Sequence, residues 1–187
     1  MKRSPRILGF VTAALLGFSV PSTAVATIVR PLTVEDMTRR ADLVCVGTIT
    51  GQRSEWNAER TRIYTWTEVR IARSLKGKRT AGETVTVRQL GGVVDGISQS
   101  IPGNAKLVPG EEVVLFLDAD EAAPLHYVIG MAQGKFTISR APGEVAVRRD
   151  VGDLAFAGAA PLAAPGAPAV PAQLEALEQA VRRASTP

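Results

Sequence analysis

A mainly β fold, an antiparallel barrel or a small sandwich, is what this sequence predicts. Three observations lead there. Segments of alternating or continuously apolar residues recur between residues 41 and 150, with glycine, proline and charged turns between them. Helical spacing is confined to two short stretches, one near each end. A single cysteine, Cys45, rules out an intrachain disulfide, so a hydrophobic core must hold the fold.

The first 26 residues predict export. Lys2, Arg3 and Arg6 precede an apolar stretch from Ile7 to Val20, and Ala24-Val25-Ala26 supplies the small-residue end of a cleaved signal. The apolar stretch is short for a membrane span. Cutting near Ala26-Thr27 places the protein in the periplasm or outside the cell, with no span left in it. It also changes the charge. Of 22 lysines and arginines three are removed, and 18 acids remain, so the mature net charge is +1. So small a surplus exerts little long-range pull on nucleic acid, which is not expected as a partner.

The elements follow in order. Thr33 and Asp36 have capping-box spacing, Leu32 and Met37 sit at staple positions, and a short helix is expected to end near Arg40. "ADLVCVGTIT" is apolar at both parities, as in a strand covered on two faces. In "RTRIYTWTEVRIARSLKG", Ile63, Thr65, Thr67, Val69 and Ile71 share one side and Arg62, Tyr64, Trp66, Glu68 and Arg70 the other. "ETVTVRQL" alternates, and "EEVVLFLD" reads as a central strand after Pro109-Gly110. Residues 91–110 form a glycine-rich excursion with room for a small hairpin. "HYVIGMAQGKFTIS" reads as one strand bent by a bulge, because its apolar parity switches between Gly130 and Gly134. "EVAVRRD" reads as a short edge strand. The expected organisation is a signal (1–26), a barrel domain with its N-terminal helix (27–150), an Ala/Pro-rich linker (151–172) and a C-terminal helix (173–187) with Leu174, Leu177 and Val181 on one stripe.

Motif inventory narrows the chemistry. "GMAQGKFTI" falls short of a phosphate loop: its glycines are one residue too close, Phe136 stands where a hydroxyl is needed, and strand rather than helix follows. His126 is the only histidine, and Ser98 and Ser100 lack the strand-to-helix elbow of a serine nucleophile. One histidine and one cysteine make no nitrogen/sulfur zinc set, and "DADEAAP" reads as a polar turn before it reads as a cation site. No catalytic residue, metal ligand or cofactor is expected. Cys45, among strand formers, reads as a small buried hydrophobe.

The best surface candidates are Arg62, Tyr64, Trp66, Arg70 and Arg88, residue types that dominate interface hot spots. Strand spacing puts the first four on one face. Burial of Tyr64 and Trp66 under a terminal helix is the competing use of the same residues. The expected activity is therefore that of an exported, non-catalytic binding module. A protein partner is favoured over a small ligand, with loop inhibition of an extracellular protease, or a carboxylate-based hydrolase, as the alternatives.

With the strands in place, "ADLVCVGTIT", "YTWTEVRIARSLKG", "ETVTVRQLGG", "GEEVVLFL" and "GMAQGKFTI" resemble a group of uncharacterised secreted bacterial proteins over residues 33–140. The order of a strand after "AD", a long strand ending in "LKG" and a later "GEEVVLFL" also resembles the netrin and tissue-inhibitor-of-metalloproteinase class of OB barrels. That resemblance implies a five-stranded barrel with a helix packed on it. The inhibitors of that class chelate a protease zinc through an N-terminal cysteine. Here Thr27 is the expected mature end, Cys45 lies mid-strand and the class disulfides are missing, so no functional residue is carried over.

Overall fold

A computed structural model describes residues 27–152, 154–157 and 170–186. The expected signal and residues 158–169 of the expected linker lie outside them. Eleven strands and two α-helices are described: β1 Thr27–Val29, α1 Val34–Arg40, β2 Leu43–Trp56, β3 Ile63–Lys76, β4 Thr84–Leu90, β5 Gly92–Val94, β6 Ile97–Gln99, β7 Glu112–Ala119, β8 Leu125–Val128, β9 Lys135–Ala141, β10 Glu144–Arg148, β11 Leu154–Phe156 and α2 Leu174–Ser185.

A seven-stranded sheet runs β10-β9-β7-β2-β3-β4-β8, and β8 pairs with β7 as well, so the sheet nearly closes on itself. The expected antiparallel sheet proves to be mixed. β4 and β8 run parallel through Thr86↔Leu125 and Val87↔His126. The cause is parity: β2, β3, β4, β8 and β7 form the ring, and an odd ring of alternating strands must contain one parallel neighbour pair. A second parallel pair, β1 with β11, lies outside this sheet. β11 falls in the stretch expected to be linker, yet Leu154 and Phe156 are buried there.

Residue parity sorts the core into two layers. Leu43, Cys45, Ile49, Val69, Ile71, Val85, Val87, Leu115 and Leu117 fill the inside of the curved sheet. Val44, Val46, Val114, Phe116, Phe136 and Ile138 point the other way and carry both helices. This double use explains why "LVCV" and "VVLFL" are apolar at both parities. The two long strands coil by means of register irregularities, one of them at Gly47, where an added Cβ would lie 2.6 Å from the Arg70 carbonyl oxygen.

α1 starts as its spacing predicts. Thr33 and Asp36 complete a reciprocal capping box, and Leu32 and Met37 are buried in one cluster. Lys76 Nζ donates to the Thr38 carbonyl at 2.7 Å, setting a cation at the negative end of the helix. α2 is marginal by its own length. It docks through Leu174, Leu177, Ala180 and Val181 onto the same layer as α1.

The bulged strand expected over 126–139 is instead two strands. Gly130 and Met131 take left-handed φ values of 65° and 61°, and a 3-10 turn at Met131–Gly134 separates β8 from β9. That break produces the change of apolar parity. The excursion after β4 holds the hairpin β5–β6, whose two-residue Asp95-Gly96 turn has both φ values positive. Side-chain amides pin it: Gln52 to the Leu107 carbonyl, Gln89 to that of Ala105, and Asn104 to that of Leu90.

Candidate functional site

The outward face of β2, β3 and β4 carries the candidate site. Strand register sets Arg53, Trp66 and Arg88 in one row and Glu55, Tyr64 and Leu90 in the next. Directly opposed side chains of this kind touch across a sheet. The Arg53 guanidinium lies 5.2 Å from the Trp66 ring centre. Tyr64 and Trp66 meet at 6.1 Å with planes tilted by 55°. The Arg88 guanidinium lies 5.2 Å from the rings of both Tyr64 and Tyr127. It also bonds the Tyr127 hydroxyl, and lies 3.8 Å from the Asp120 carboxylate.

The result is a ladder of two cations and three rings across four strands, closed by an acid. Tyr127 donates to Asp120 at 2.5 Å. That bond, the Ala122 amide and the Arg88 cation hold the Asp120 carboxyl below its ordinary range. Partial burial and the bond to Asp120 hold the Tyr127 hydroxyl above its own. Tyr64 and Trp66 are each half-buried. Beside Trp66 lies a depression of about 150 Å³ lined by Gly51, Gln52, Arg53 and Glu68, left open because Gly51 faces Glu68 without a side chain.

Of the five residues that sequence singles out, Tyr64, Trp66 and Arg88 come together. Arg62 precedes β3, and its exposed side chain makes no bond among the described residues. Arg70 likewise stands exposed, two rows beyond Trp66. The helices do not cover the rings: the apolar cluster beneath α1 and α2 reaches Leu75 at the far end of β3 and includes neither Tyr64 nor Trp66. Arg53, Tyr127 and Asp120 complete the ladder and escaped sequence reasoning. The alternation of Arg53 and Glu55 in "GQRSEW" was the available signal for the first, since it extends β2 beyond its apolar half.

Other titratable groups are arranged differently. Asp118 is held above its ordinary range by partial burial and by Asp42 beside it. Both carboxylates are exposed, and Asp42 accepts the Ala119 amide, so they do not form a buried acid pair in a cleft. Cys45 is fully buried, and burial pushes its thiol up to about 12.

No protein-family model matches the chain, and a search of curated proteins finds no match.

Proposed function

We propose that the protein is an exported, non-catalytic binding module whose partner, a protein of the cell envelope or medium, docks on the Tyr64–Trp66–Arg88 face. The observation that carries this is the ladder itself. Two half-exposed rings are held between guanidinium groups on a rigid sheet, so binding freezes little that is not already ordered. Charge favours a protein over a polyanion. Arg53, Arg62, Arg70 and Arg88 are interleaved with Glu55, Glu68 and Asp120, a mixed pattern that suits register-specific docking.

The barrel is read as OB-like. Its ring order β2-β3-β4-β8-β7, with β4 and β8 parallel, supports that, as does the likeness to netrin and inhibitor-type barrels. In OB barrels the face of the second and third strands binds ligands; here those strands are β3 and β4. Export is supported by the signal pattern. Thr27 opens β1 and its hydroxyl donates to the Pro102 carbonyl at 2.7 Å, so a chain cut before Thr27 keeps every described element.

The test is a pull-down from periplasmic and secreted fractions with the wild-type protein and Trp66→Ala. A partner retained by the first and lost by the folded variant supports the reading. Equal retention by both rejects the face. The intact mass of the secreted protein, starting at Thr27 or not, tests export separately.

One observation favours a second reading, inhibition of an extracellular protease by a loop. The β5–β6 hairpin exposes Val93 and Ile97 at 63% and 53% beside a tight turn. Protease inhibition lost in Val93→Asp and Ile97→Asp, and kept in Trp66→Ala, would select it.

A further inference from the structure

Lys135, the lysine that makes "GKFT" look like a phosphate loop, is 8% exposed at the start of β9. Phe136 and Ile138, which follow it at the alternate positions, turn toward the helices, which leaves Lys135 and Thr137 on the opposite face of the strand. The ammonium donates to the Lys106 carbonyl and to the Glu111 carboxylate. An ammonium has three donors, and the third has no partner among the described residues.

This ion pair borders a cavity of about 150 Å³, also lined by Asn104, Thr137, Arg148 and Asp150. Lys106, Lys135 and Arg148 stand there against Glu111 and Asp150. Arg148 and Asp150 pair with each other at 3.4 Å near the surface, and Lys135 is neutralised by Glu111. Lys106 supplies the remaining positive charge. A strand end that needed only filling would be served as well by leucine or methionine, because a buried ion pair gains little over apolar side chains of similar volume. The cavity is well below the roughly 300–1,000 Å³ of pockets for drug-sized ligands.

We propose that this cavity binds a small carboxylate, received by the third donor of Lys135 and by Lys106, with Glu111 holding the Lys135 ammonium in place. The site is separate from the Tyr64–Trp66 face and does not depend on it. A free short-chain acid and an amino acid share this chemistry. The second would also set its ammonium against Asp150.

The test is titration of the 15N-labelled protein with sodium acetate, glycine and inorganic phosphate, followed by amide shifts. The expected result is a saturable shift with acetate or glycine, with a dissociation constant of about 1 mM or tighter, confined to residues 103–111, 135–137 and 148–152. The double variant Lys135→Met/Glu111→Gln should abolish it, and Lys106→Gln, which keeps the Lys135–Glu111 pair and the Lys106 carbonyl that Lys135 bonds, should weaken it several-fold. A preference for glycine over acetate identifies the amino acid as the source. The proposal is overturned if neither carboxylate gives a saturable shift, if phosphate binds equally well, or if the double variant binds like the wild type. Should that variant lose its dispersed spectrum, Lys106→Gln decides, and unchanged affinity overturns the site.

Discussion

Glu178 of α2 is a buried carboxylate, its side chain 9% exposed, and it receives the guanidinium of Arg73 from β3. Arg182, one turn further along α2, closes on the same carboxylate at 3.0 Å. The C-terminal helix is thereby bonded as well as packed to the seven-stranded sheet. Glu178→Ala leaves two guanidinium groups without their acceptor. Both arginines are about half exposed or more, so water offsets part of the loss, and the expected cost is about 1–2 kcal/mol. For a chain of this size that lowers the melting temperature by about 2–8 °C, measurable by circular dichroism.

Arg88 has its guanidinium beside two tyrosine rings, so its planarity matters along with its charge. Arg88→Lys keeps the cation and loses the fork. We expect it to destabilise the fold by about 1 kcal/mol and to weaken partner capture almost as much as Arg88→Met. Urea denaturation and the pull-down read the two effects separately.

Cys45 is buried with its thiol pushed up to about 12. At neutral pH it holds almost no thiolate, the reactive form. Alkylation by iodoacetamide should therefore be negligible in the native protein and complete in denaturant. Native labelling at the rate of a free thiol would contradict the packing of β2.

His126 is held below its ordinary value by burial, with the Arg79 cation adding to the effect. The unfolded chain takes up its proton near pH 6.5, the ordinary value, and the folded chain only at lower pH. Between those two values the unfolded state binds more protons, so stability falls as pH falls. The depressed carboxylates of Asp36, Glu83, Glu112, Asp120 and Asp150 lose their stabilisation at lower pH, below about 4.5. Asp118, raised, works in the opposite sense. Melting temperature should decline from about pH 7.5 to about pH 5.5, and His126→Gln should flatten that decline.

Gly47 lies where β2 and β3 shift register, with no room for a side chain: a Cβ would also sit 2.9 Å from Val69 Cγ1. Gly47→Ala should cost about 1–3 kcal/mol, read by chemical denaturation. Gly82→Ala, in open space but at a φ of 89°, tests backbone conformation alone.

Much of the fold was legible because it is local. Leu32, Thr33, Asp36 and Met37 are a helix start written within six consecutive positions. The β3 alternation needs only neighbours two residues apart, and it placed Tyr64 and Trp66 on the outward face correctly. The site was half legible for the same reason. Arg88 was recognisable as a residue type, but nothing near it in sequence says that Tyr127 and Asp120 will flank it.

The sequence by itself determined the short-range facts: where α1 begins, which parity of β3 and β4 is buried, that no disulfide holds the core. These depend on spacing within one element. Tertiary structure alone decided the near closure of the sheet through β8, the parallel β4–β8 pair, the docking of α2 on that same sheet and the burial of Lys135 against Glu111. Each of these joins residues far apart in the chain. Such pairings are set by the register and coiling of whole strands and by the exclusion of water between them, and no local pattern of residues encodes either.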